Sequence, residues 1–266
     1  MYGKNRTKEY IIKYNKAKKE FLEHPKNLCG ICRKYKMSIN AFKNNLRNEG
    51  YEIKNLNKRK IKEDIFEIIN NEHKAYWLGI LYSDGWISNN SNKIELCLKD
   101  REHIEKFKNF LGCENKIQTK KVNGKNYYRI SFRNKKIRSD LINLGCVPRK
   151  SLTKEFPDEL SVPQNLIHHF MRGYFDGNGC ISICKNKVII IIDSSIYFIN
   201  EFMLKFNFPK NKITTKGKGR SIRTAKKDYV FWFLDLLYNN SNIYLERKYK
   251  LYKDMIAVYT RNSIND

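Results

Sequence analysis

The chain has 266 residues, of which 41% are hydrophobic, so it is long enough to bury a sizeable core. Lysine and arginine number 53 against 27 acidic residues, which gives a formal net charge of +26 spread along the whole sequence. Such a surplus repels itself in a folded protein unless a polyanion neutralises it, which favours nucleic acid as the partner over a lysine-rich compositional bias.

The chain shows no leader peptide and no apolar run of membrane-spanning length, so we expect no membrane partner. Seven cysteines are an odd number, which indicates reduced thiols in a cytoplasm or an organelle. Cys29 and Cys32 form a lone C-x-x-C pair with no second pair at zinc spacing. We interpret them as two small core residues, with a zinc or redox role as the alternative.

Residues 1–70 are predicted to form a helical N-terminal segment. Its apolar residues have the spacing of a helix-turn-helix: Ile31, Tyr35, Met37, Phe42 and Leu46. The turn lies near Lys36, where such turns usually have glycine, and Ser38 would cap the second helix. Any two short amphipathic helices give a similar spacing. The second helix has no acid on its candidate DNA-reading face, which would consist of Asn40, Lys43, Asn44 and Arg47.

Two copies of one unit follow, at 74–147 and 165–260, joined by a proline-containing linker at 148–164. The string WLGILYSDGWIS at 77–88 matches MRGYFDGNGCIS at 171–182, which places Asp84 on Asn178. Downstream, the tripeptide at 115–117 matches 211–213, and the tripeptide at 131–133 matches 221–223. Each copy predicts a helix, two strands, a helix, two strands and a closing helix, so the fold class is α+β with two αββαββα repeats.

Small residues lie four apart on the first helix of each copy, at Gly79 and Ser83 and again at Gly173 and Gly177. This spacing puts them on one helix face, so the two helices can pack with their backbones nearly in contact. Close packing would bring the two helix ends side by side. Asp84 at a helix C-terminus is unfavourable by roughly 0.3–1 kcal/mol, a cost that a bound divalent cation would reverse.

The two short helices resemble the LAGLIDADG motif, and the resemblance covers residues 74–260. The segment at 244–249 (YLERKY) also looks like one found in bacterial and phage members. The resemblance implies a single-chain homing endonuclease with saddle-shaped antiparallel sheets, a monomer whose repeats form an internal pseudo-dimer. It implies double-stranded DNA as the substrate and Mg²⁺ or Mn²⁺ as the cofactor.

The resemblance also implies where the metal would bind. Its ligands would be Asp84 and the equivalent Asn178, together with the residues that precede them, Ser83 and Gly177. Asn178 departs from the family, which has a carboxylate in both repeats, and an amide oxygen is a weaker, uncharged ligand. Asp176 lies two residues earlier and should face elsewhere on the helix.

Basic residues complete the predicted site. In the family a basic residue lies beside the scissile phosphate, which implies catalytic roles for Arg133 and Arg223, with Lys135 and Lys226 as neighbours that could share them. Alternating strands would present further side chains to a DNA groove. The candidate contacts on and around these strands are Lys93, Lys120, Lys121, Lys125, Arg129, Lys187, Lys212, Lys216, Lys218 and Arg220.

Two functions remain open from the sequence. The first is a homing-type DNA endonuclease, impaired or strand-biased because of Asn178. The second is a relative that binds nucleic acid without cutting it, either a maturase on an intron RNA or a DNA-binding regulator.

Overall fold

The computed structural model describes residues 7–51, 60–150, 152–184, 187–209 and 212–264. The chain divides into two compact units, residues 1–59 and residues 60–266. Within the described ranges, no helix combines the length and the apolar character that crossing a membrane requires.

The smaller unit consists of three helices, which are α1 (Lys8–Glu23), α2 (Leu28–Lys34) and α3 (Ile39–Asn48). Ser38 begins α3 as predicted, with its side chain accepting from the Ala41 amide at 3.5 Å. Lys36 stands in the turn with φ 50°, the left-handed region where glycine is favoured. The unit has a core of its own, built from Tyr14, Ala17, Phe21, Leu28, Ile31, Cys32, Phe42 and Leu46.

The two cysteines of the C-x-x-C pair differ in their surroundings. Cys32 is buried in the small core, as predicted, whereas Cys29 is exposed, so the prediction of two core residues is wrong for Cys29. Both thiols are free.

The predicted boundary at residue 70 also moves. Ile65, Phe66 and Ile69 are buried in the core of the larger unit, so residues 60–69 belong to that unit. The apolar side chains before the first repeat therefore complete the core of that repeat.

The first repeat follows the predicted order. Its elements are α4 (Glu72–Asp84), β1 (Gly85–Ile87), β2 (Lys93–Leu98), α5 (Arg101–Leu111), β3 (Gln118–Val122), β4 (Lys125–Arg133) and α6 (Lys135–Asn143). The second repeat has the same order in α7 (Ile167–Asn178), β5 (Gly179–Cys184), β6 (Lys187–Ser194), α8 (Ile196–Lys205), β7 (Thr214–Lys216), β8 (Gly219–Thr224) and α9 (Lys227–Tyr238). A further helix, α10 (Glu246–Ile264), follows it.

Each repeat forms one four-stranded antiparallel sheet, and the two sheets have equivalent strand orders, β1-β2-β4-β3 and β5-β6-β8-β7. One face of each sheet carries the buried alternate residues, such as Ile94 and Leu96 in β2 or Ile190 and Ile192 in β6. The opposite face, called here the open face, carries the residues between them.

The strand register corrects one match between the repeats. Across three strands, equivalent rows run through Gly85, Leu96 and Ile130 in the first sheet and through Gly179, Ile192 and Ile222 in the second. Arg223, one residue beyond Ile222, therefore corresponds to Ser131 and not to Arg133. The match of 131–133 onto 221–223 is wrong by two residues, because two side chains of the same parity are interchangeable in a sequence pattern.

The two central helices, α4 and α7, pack against each other through their glycines. A Cβ atom on Gly79 would lie 2.1 Å from the carbonyl oxygen of Phe170, and one on Gly173 would lie 2.0 Å from that of Tyr76. Both clashes are with backbone, so the helices approach as closely as the two glycines allow. The predicted helix-packing role of these glycines follows directly from this contact.

Candidate active site at the helix junction

The C-terminal ends of α4 and α7 lie side by side, where β1 and β5 begin. A Cβ atom on Gly177 would be 1.9 Å from the Ser83 hydroxyl oxygen and 2.3 Å from Asp84 Oδ2. The Asp84 carboxylate thus rests over the other helix at Gly177. The Ser83 hydroxyl lies 2.9 Å from the Ile80 carbonyl oxygen and 3.1 Å from Asp84 Oδ2.

The side chain of Asn178 is oriented by a tyrosine. Asn178 Nδ2 donates to the hydroxyl of Tyr174 at 3.1 Å. That hydroxyl lies 2.8 Å from Ser194 Oγ and 3.1 Å from the Asp193 carbonyl oxygen. Because the amide nitrogen is used as a donor, the amide oxygen of Asn178 remains the atom that can accept a hydrogen bond or bind a cation.

Two buried lysines contact the helix ends in equivalent ways, and neither was predicted from the sequence. Lys150 donates to the carbonyl oxygen of Gly85. Lys248 donates to that of Gly179 at 2.6 Å and to that of Phe175. Gly85 and Gly179 are the equivalent residues that cap the ends of α4 and α7, so each lysine donates to the carbonyl group of a capping residue and places positive charge at the negative end of the helix dipole.

A recurrent dipeptide could have revealed these lysines. Both follow an arginine shortly after the closing helix of a repeat, as Arg149-Lys150 and as Arg247-Lys248. The residues that flank the two dipeptides differ, so the dipeptides do not stand out as part of the repeat.

The ionisable groups at the junction influence one another. Burial by the surrounding protein raises the pKa of the Asp84 carboxyl, while the Ser83 hydroxyl and the ammonium groups of Lys248, Lys154 and Lys150 act in the opposite direction. Solvent still reaches Asp84. Protein mass around the carboxylate therefore displaces part of its hydration without sealing it from water.

The side chains of Lys154 and Lys248 are buried. Burial lowers the pKa of each ammonium group to about 8. For Lys154 the neighbouring Lys150 lowers the pKa further, and for Lys248 the nearby Asp176 carboxylate acts in the opposite direction. Both groups can therefore change protonation state near neutral pH.

The register separates the two arginines that were predicted to be catalytic. Arg133 lies three residues along β4 from Ile130, which is level with Gly85, so it is about 10 Å along the strand from the helix end. Arg223 lies one row from the level of Gly179. The two are not an equivalent pair, and the equivalent basic residues at the helix ends are Lys150 and Lys248.

Asp176 is separate from this junction, as predicted. It is 1% exposed, and its carboxylate accepts from the hydroxyls of Tyr76 at 2.7 Å and Tyr238 at 2.6 Å and from the Leu245 amide at 2.8 Å. These three donors account for its burial, and its role is to join α4, α9 and the start of α10.

Most of the predicted DNA contacts are exposed, and several share an open face. In the first sheet Lys93, Lys120, Lys125 and Arg129 have the parity of Arg133, whereas Lys121 has the opposite parity. In the second sheet Lys187 and Lys216 have the parity of Arg223. Lys212 and Lys218 are exposed beside β7, Lys135 begins α6, and Lys226 precedes α9.

Other side chains reduce the positive charge of some of these contacts. Lys93 pairs with Glu95 at 2.8 Å, and Arg129 lies 3.5 Å from the same carboxylate.

The remaining predicted contacts lie away from the open faces. Arg220 has the opposite parity to Arg223 and lines a cavity beside Asn178. In the smaller unit Asn40, Asn44 and Arg47 are exposed and Lys43 is half-buried.

The donor atoms at the junction suit a hard divalent cation. They are the Asp84 carboxylate, the Asn178 amide oxygen, the Ser83 hydroxyl and main-chain carbonyls, all of them oxygens of the kind that Mg²⁺ prefers. Within the described residues no three His, Cys, Asp or Glu side chains cluster at metal-binding distance. The fit is therefore to an ion that keeps several waters and binds few protein carboxylates.

Solved structures with a similar fold include meganucleases and a WhiA protein. The meganuclease I-AabMI bound to uncleaved DNA aligns with a TM-score of 0.50 at 14% identity, covering 74% of this chain and 92% of that one. Full-length DUF199/WhiA from Thermatoga maritima aligns with a TM-score of 0.50 at 15% identity, covering 75% of this chain and 64% of that one. The meganuclease I-SmaMI, bound to uncleavable DNA, aligns with a TM-score of 0.50 at 11% identity, covering 72% of this chain and 91% of that one.

Sequence comparison is less informative. No protein-family model matches the chain. A probable translation initiation factor IF-2 of Methanocaldococcus jannaschii is 28% identical over 172 residues, which cover 60% of this chain but 14% of that protein. The structural matches show that the chain has the two-repeat LAGLIDADG fold, as the two short helices predicted.

Proposed function

We propose that the protein is a site-specific DNA endonuclease of the homing type, which hydrolyses phosphodiester bonds with Mg²⁺ or Mn²⁺ at the helix junction. The observation that carries the proposal is the Asp84 carboxylate, held over Gly177 where the two equivalent sheets begin. A structural role does not explain an acid at a helix C-terminus, because the helix dipole disfavours it there. The chain would act as a monomer with an internal pseudo-dimer.

The open faces of the two sheets would bind the DNA. Exposed lysines on both sheets support this role, together with the net charge of +26. Two sheets in tandem predict a long site on the order of two helical turns, about 20 base pairs. Footprinting that protected only a few base pairs, or binding that did not weaken with salt, would contradict this arrangement.

The chemistry would divide unequally between the repeats. A divalent ion supplies an activated water and neutralises charge on the leaving oxygen. Asp84 would bind such an ion tightly, and Asn178 would bind one less tightly because its oxygen is uncharged. Lys150 and Lys248 would hold the helix-end carbonyls in place. We therefore expect one DNA strand to be cut fast and the other slowly.

Strand-resolved cleavage in Mg²⁺ tests this proposal, with the DNA that flanks the protein's own coding locus as substrate. Asp84→Asn should lower the rate of cutting by at least about 10²-fold and leave DNA affinity unchanged, because the lost charge is at the metal. Asn178→Asp should accelerate the slow strand. Asp140→Asn, an acid paired with Lys136 on α6 at 3.2 Å, is the matched control and should cut as wild type does. Equal rates on both strands in wild type and in Asn178→Asp would refute the assignment.

A second function has its own support. Asn178 replaces a carboxylate and is hydrogen-bonded into the protein by Tyr174, as in a site that binds DNA or an intron RNA without cutting. The same assay separates the two functions. Wild type and Asn178→Asp that both bind the DNA and both fail to cut would establish the non-cutting alternative.

The smaller unit would add DNA contacts through α3 in the manner of a helix-turn-helix. Its support is the capped helix with Asn40, Asn44 and Arg47 exposed. Removal of residues 1–59 should weaken DNA binding and lower its salt dependence, while residues 60–266 stay folded because their core is separate. The double substitution of Lys43 and Arg47 by alanine should reproduce part of that loss, and unchanged affinity would exclude this role.

A further inference from the structure

Strand β6 is apolar on both faces, although the core of the protein covers only one of them. The run at 188–192 (VIIII) contains no polar residue. Val188, Ile190 and Ile192 are 0% exposed and belong to the core of the larger unit. Ile189 and Ile191 have the opposite parity and lie half-buried on the open face. Strands that are apolar on both faces are typical of sheets covered on both sides, so we expect an apolar partner group at the open face.

The first repeat has charged residues at the two equivalent positions. By strand register, Ile189 is equivalent to Lys93. Ile191 is equivalent to Glu95, which pairs with Lys93 at 2.8 Å. Both strands are the second in sheets of the same strand order. Since the same fold forms with an ion pair at this place, the fold does not require the two isoleucines.

Cationic residues border the isoleucines on the open face. Lys187 is exposed two residues before Ile189 on the same strand. Arg223 is exposed and pairs in register with Ile191, and Lys216 is 67% exposed on the edge strand β7. Cations of this kind bind the phosphates of nucleic acid, whereas lysine is depleted where two proteins meet. The border therefore favours DNA over another protein as the partner of this face.

The major groove of DNA offers a sheet one apolar group, which is the C5-methyl group of thymine. Alternate residues of a strand are about 7 Å apart, and successive base pairs are about 3.4 Å apart, so Ile189 and Ile191 match bases about two steps apart. The ion pair at the equivalent place in repeat 1 offers hydrogen-bonding groups instead of an apolar surface. The two sheets therefore suit different bases.

We propose that Ile189 and Ile191 contact the C5-methyl groups of thymines, so that repeat 2 prefers a half-site with thymines at positions where repeat 1 does not require them. Lys187 and Arg223 bind the phosphates on either side and hold the strand in place along the groove. This inference rests on the DNA binding of the proposed function and adds a base preference to one half of the site.

Replacement of thymine by uracil in the target DNA tests the contact, because the two bases differ only by the methyl group. The full chain first selects its site from a library of randomised duplexes. Deoxyuridine then replaces the thymines of one half-site at a time, and fluorescence anisotropy measures the Kd at fixed salt with EDTA present to prevent cleavage. Uracil in one half-site should weaken binding about fourfold for each contacted methyl, and uracil in the other should change the Kd by less than about twofold.

Two double variants assign the response to residues. With Ile189→Ala and Ile191→Ala together, the thymine and uracil duplexes should bind with equal affinity, because the methyl groups have lost their partners. The matched control is Lys93→Ala with Glu95→Ala, which changes the equivalent pair of repeat 1 and should keep the full response to uracil. Both double variants leave the net charge unchanged, and the melting temperature establishes that each is folded.

Three outcomes decide the matter. If both half-sites of the wild-type site tolerate uracil, or if the isoleucine variant responds to uracil as wild type does, the methyl contact does not exist and the proposed function is untouched. If the library yields no enriched sequence, the site-specific binding of the proposed function fails together with this inference. The wild-type comparison needs no variant, so it stands even where a substitution prevents folding.

Discussion

The two repeats share their backbone and differ in the side chains at their helix ends. Repeat 1 has Asp84 on the helix and Cys97 on the strand, whereas repeat 2 has Asn178 on the helix and Asp193 on the strand. The glycines that bring the helices together and the lysines that cap their carbonyls are present in both repeats. Packing and capping are therefore common to the two repeats, whereas the charge at the helix end is not.

A second pair of positions shows the same division. Tyr82 and Asp176 are equivalent residues, one turn from the interface glycines. Tyr82 donates to the carbonyl oxygen of Leu144, and Asp176 accepts from the amide of Leu245. Each anchors the segment that leads to a capping lysine, although one side chain is a donor and the other an acceptor. The anchoring contact is conserved between the repeats, and its chemistry is not.

The largest difference in stability between equivalent substitutions in the two repeats is expected at Arg172, which is equivalent to Leu78 of repeat 1. Its guanidinium is 1% exposed and donates to the carbonyls of Ile243 and Leu237, both at 2.8 Å, and to Glu72 at 2.5 Å. Arg172→Met should lower the free energy of unfolding by about 3–5 kcal/mol, because two carbonyls lose a donor and the Glu72 carboxylate keeps only its hydrogen bonds from Asn242. Leu78→Met, which keeps volume, should cost less than about 1.5 kcal/mol. Urea unfolding measures both, and equal losses would contradict the assigned cross-link.

Alanine substitutions of the glycines between α4 and α7 should destabilise the protein by different amounts. Gly173→Ala meets backbone and should destabilise the protein by about 3 kcal/mol or more, since neither helix can move without opening the core. Gly177→Ala meets side-chain atoms of Ser83 and Asp84, including the Ser83 Cβ at 2.4 Å, and should cost about 2 kcal/mol while displacing the Asp84 carboxylate. Calorimetric melting ranks them, and a larger loss at Gly177 would mean that the helix ends are the tighter contact.

Substitutions of the anchoring residues Tyr82 and Asp176 should differ less in their effect on the free energy of unfolding. Asp176→Asn presents an amide NH₂ to groups that donate, and we expect a loss of about 2 kcal/mol. Tyr82→Phe removes a single donor to Leu144 and should cost about 1 kcal/mol. Chemical unfolding of the two variants side by side checks the order, and a greater loss in Tyr82→Phe would invert our account of the two anchors.

The pH dependence of stability tests the two buried ammonium groups. Burial lowers the pKa of Lys154 and of Lys248 to about 8, while an unfolded lysine titrates near 10.4. Between these values the unfolded chain holds protons that the folded protein has released, so the free energy of unfolding rises with pH over that window. Replacing either lysine by methionine should flatten the rise seen in urea titrations between about pH 8 and 10. An unchanged slope in both variants would show that the two ammonium groups are well solvated.

Much of this architecture could be predicted because its causes are local. The repeat, the order of elements, the interface glycines and the cap at Ser38 follow from periodicity and from residue chemistry within a few positions. The two-residue error at Arg133 has a physical origin, because alternation fixes which face a strand residue occupies but not which row.

What the tertiary structure alone decided are the contacts between distant parts of the chain. Lys150 and Gly85 are 65 residues apart, and Lys248 and Gly179 are 69 apart, so no local pattern connects them. The placement of Ile65, Phe66 and Ile69 in the larger core and of Asp193 across from Asn178 likewise depends on packing and register. The amino-acid sequence by itself determined the two repeats and the helices at their centre, because those depend on neighbouring residues. Only the tertiary structure decided which charged residues lie near the helix ends, because contacts between distant parts of the chain form only when the whole core is assembled.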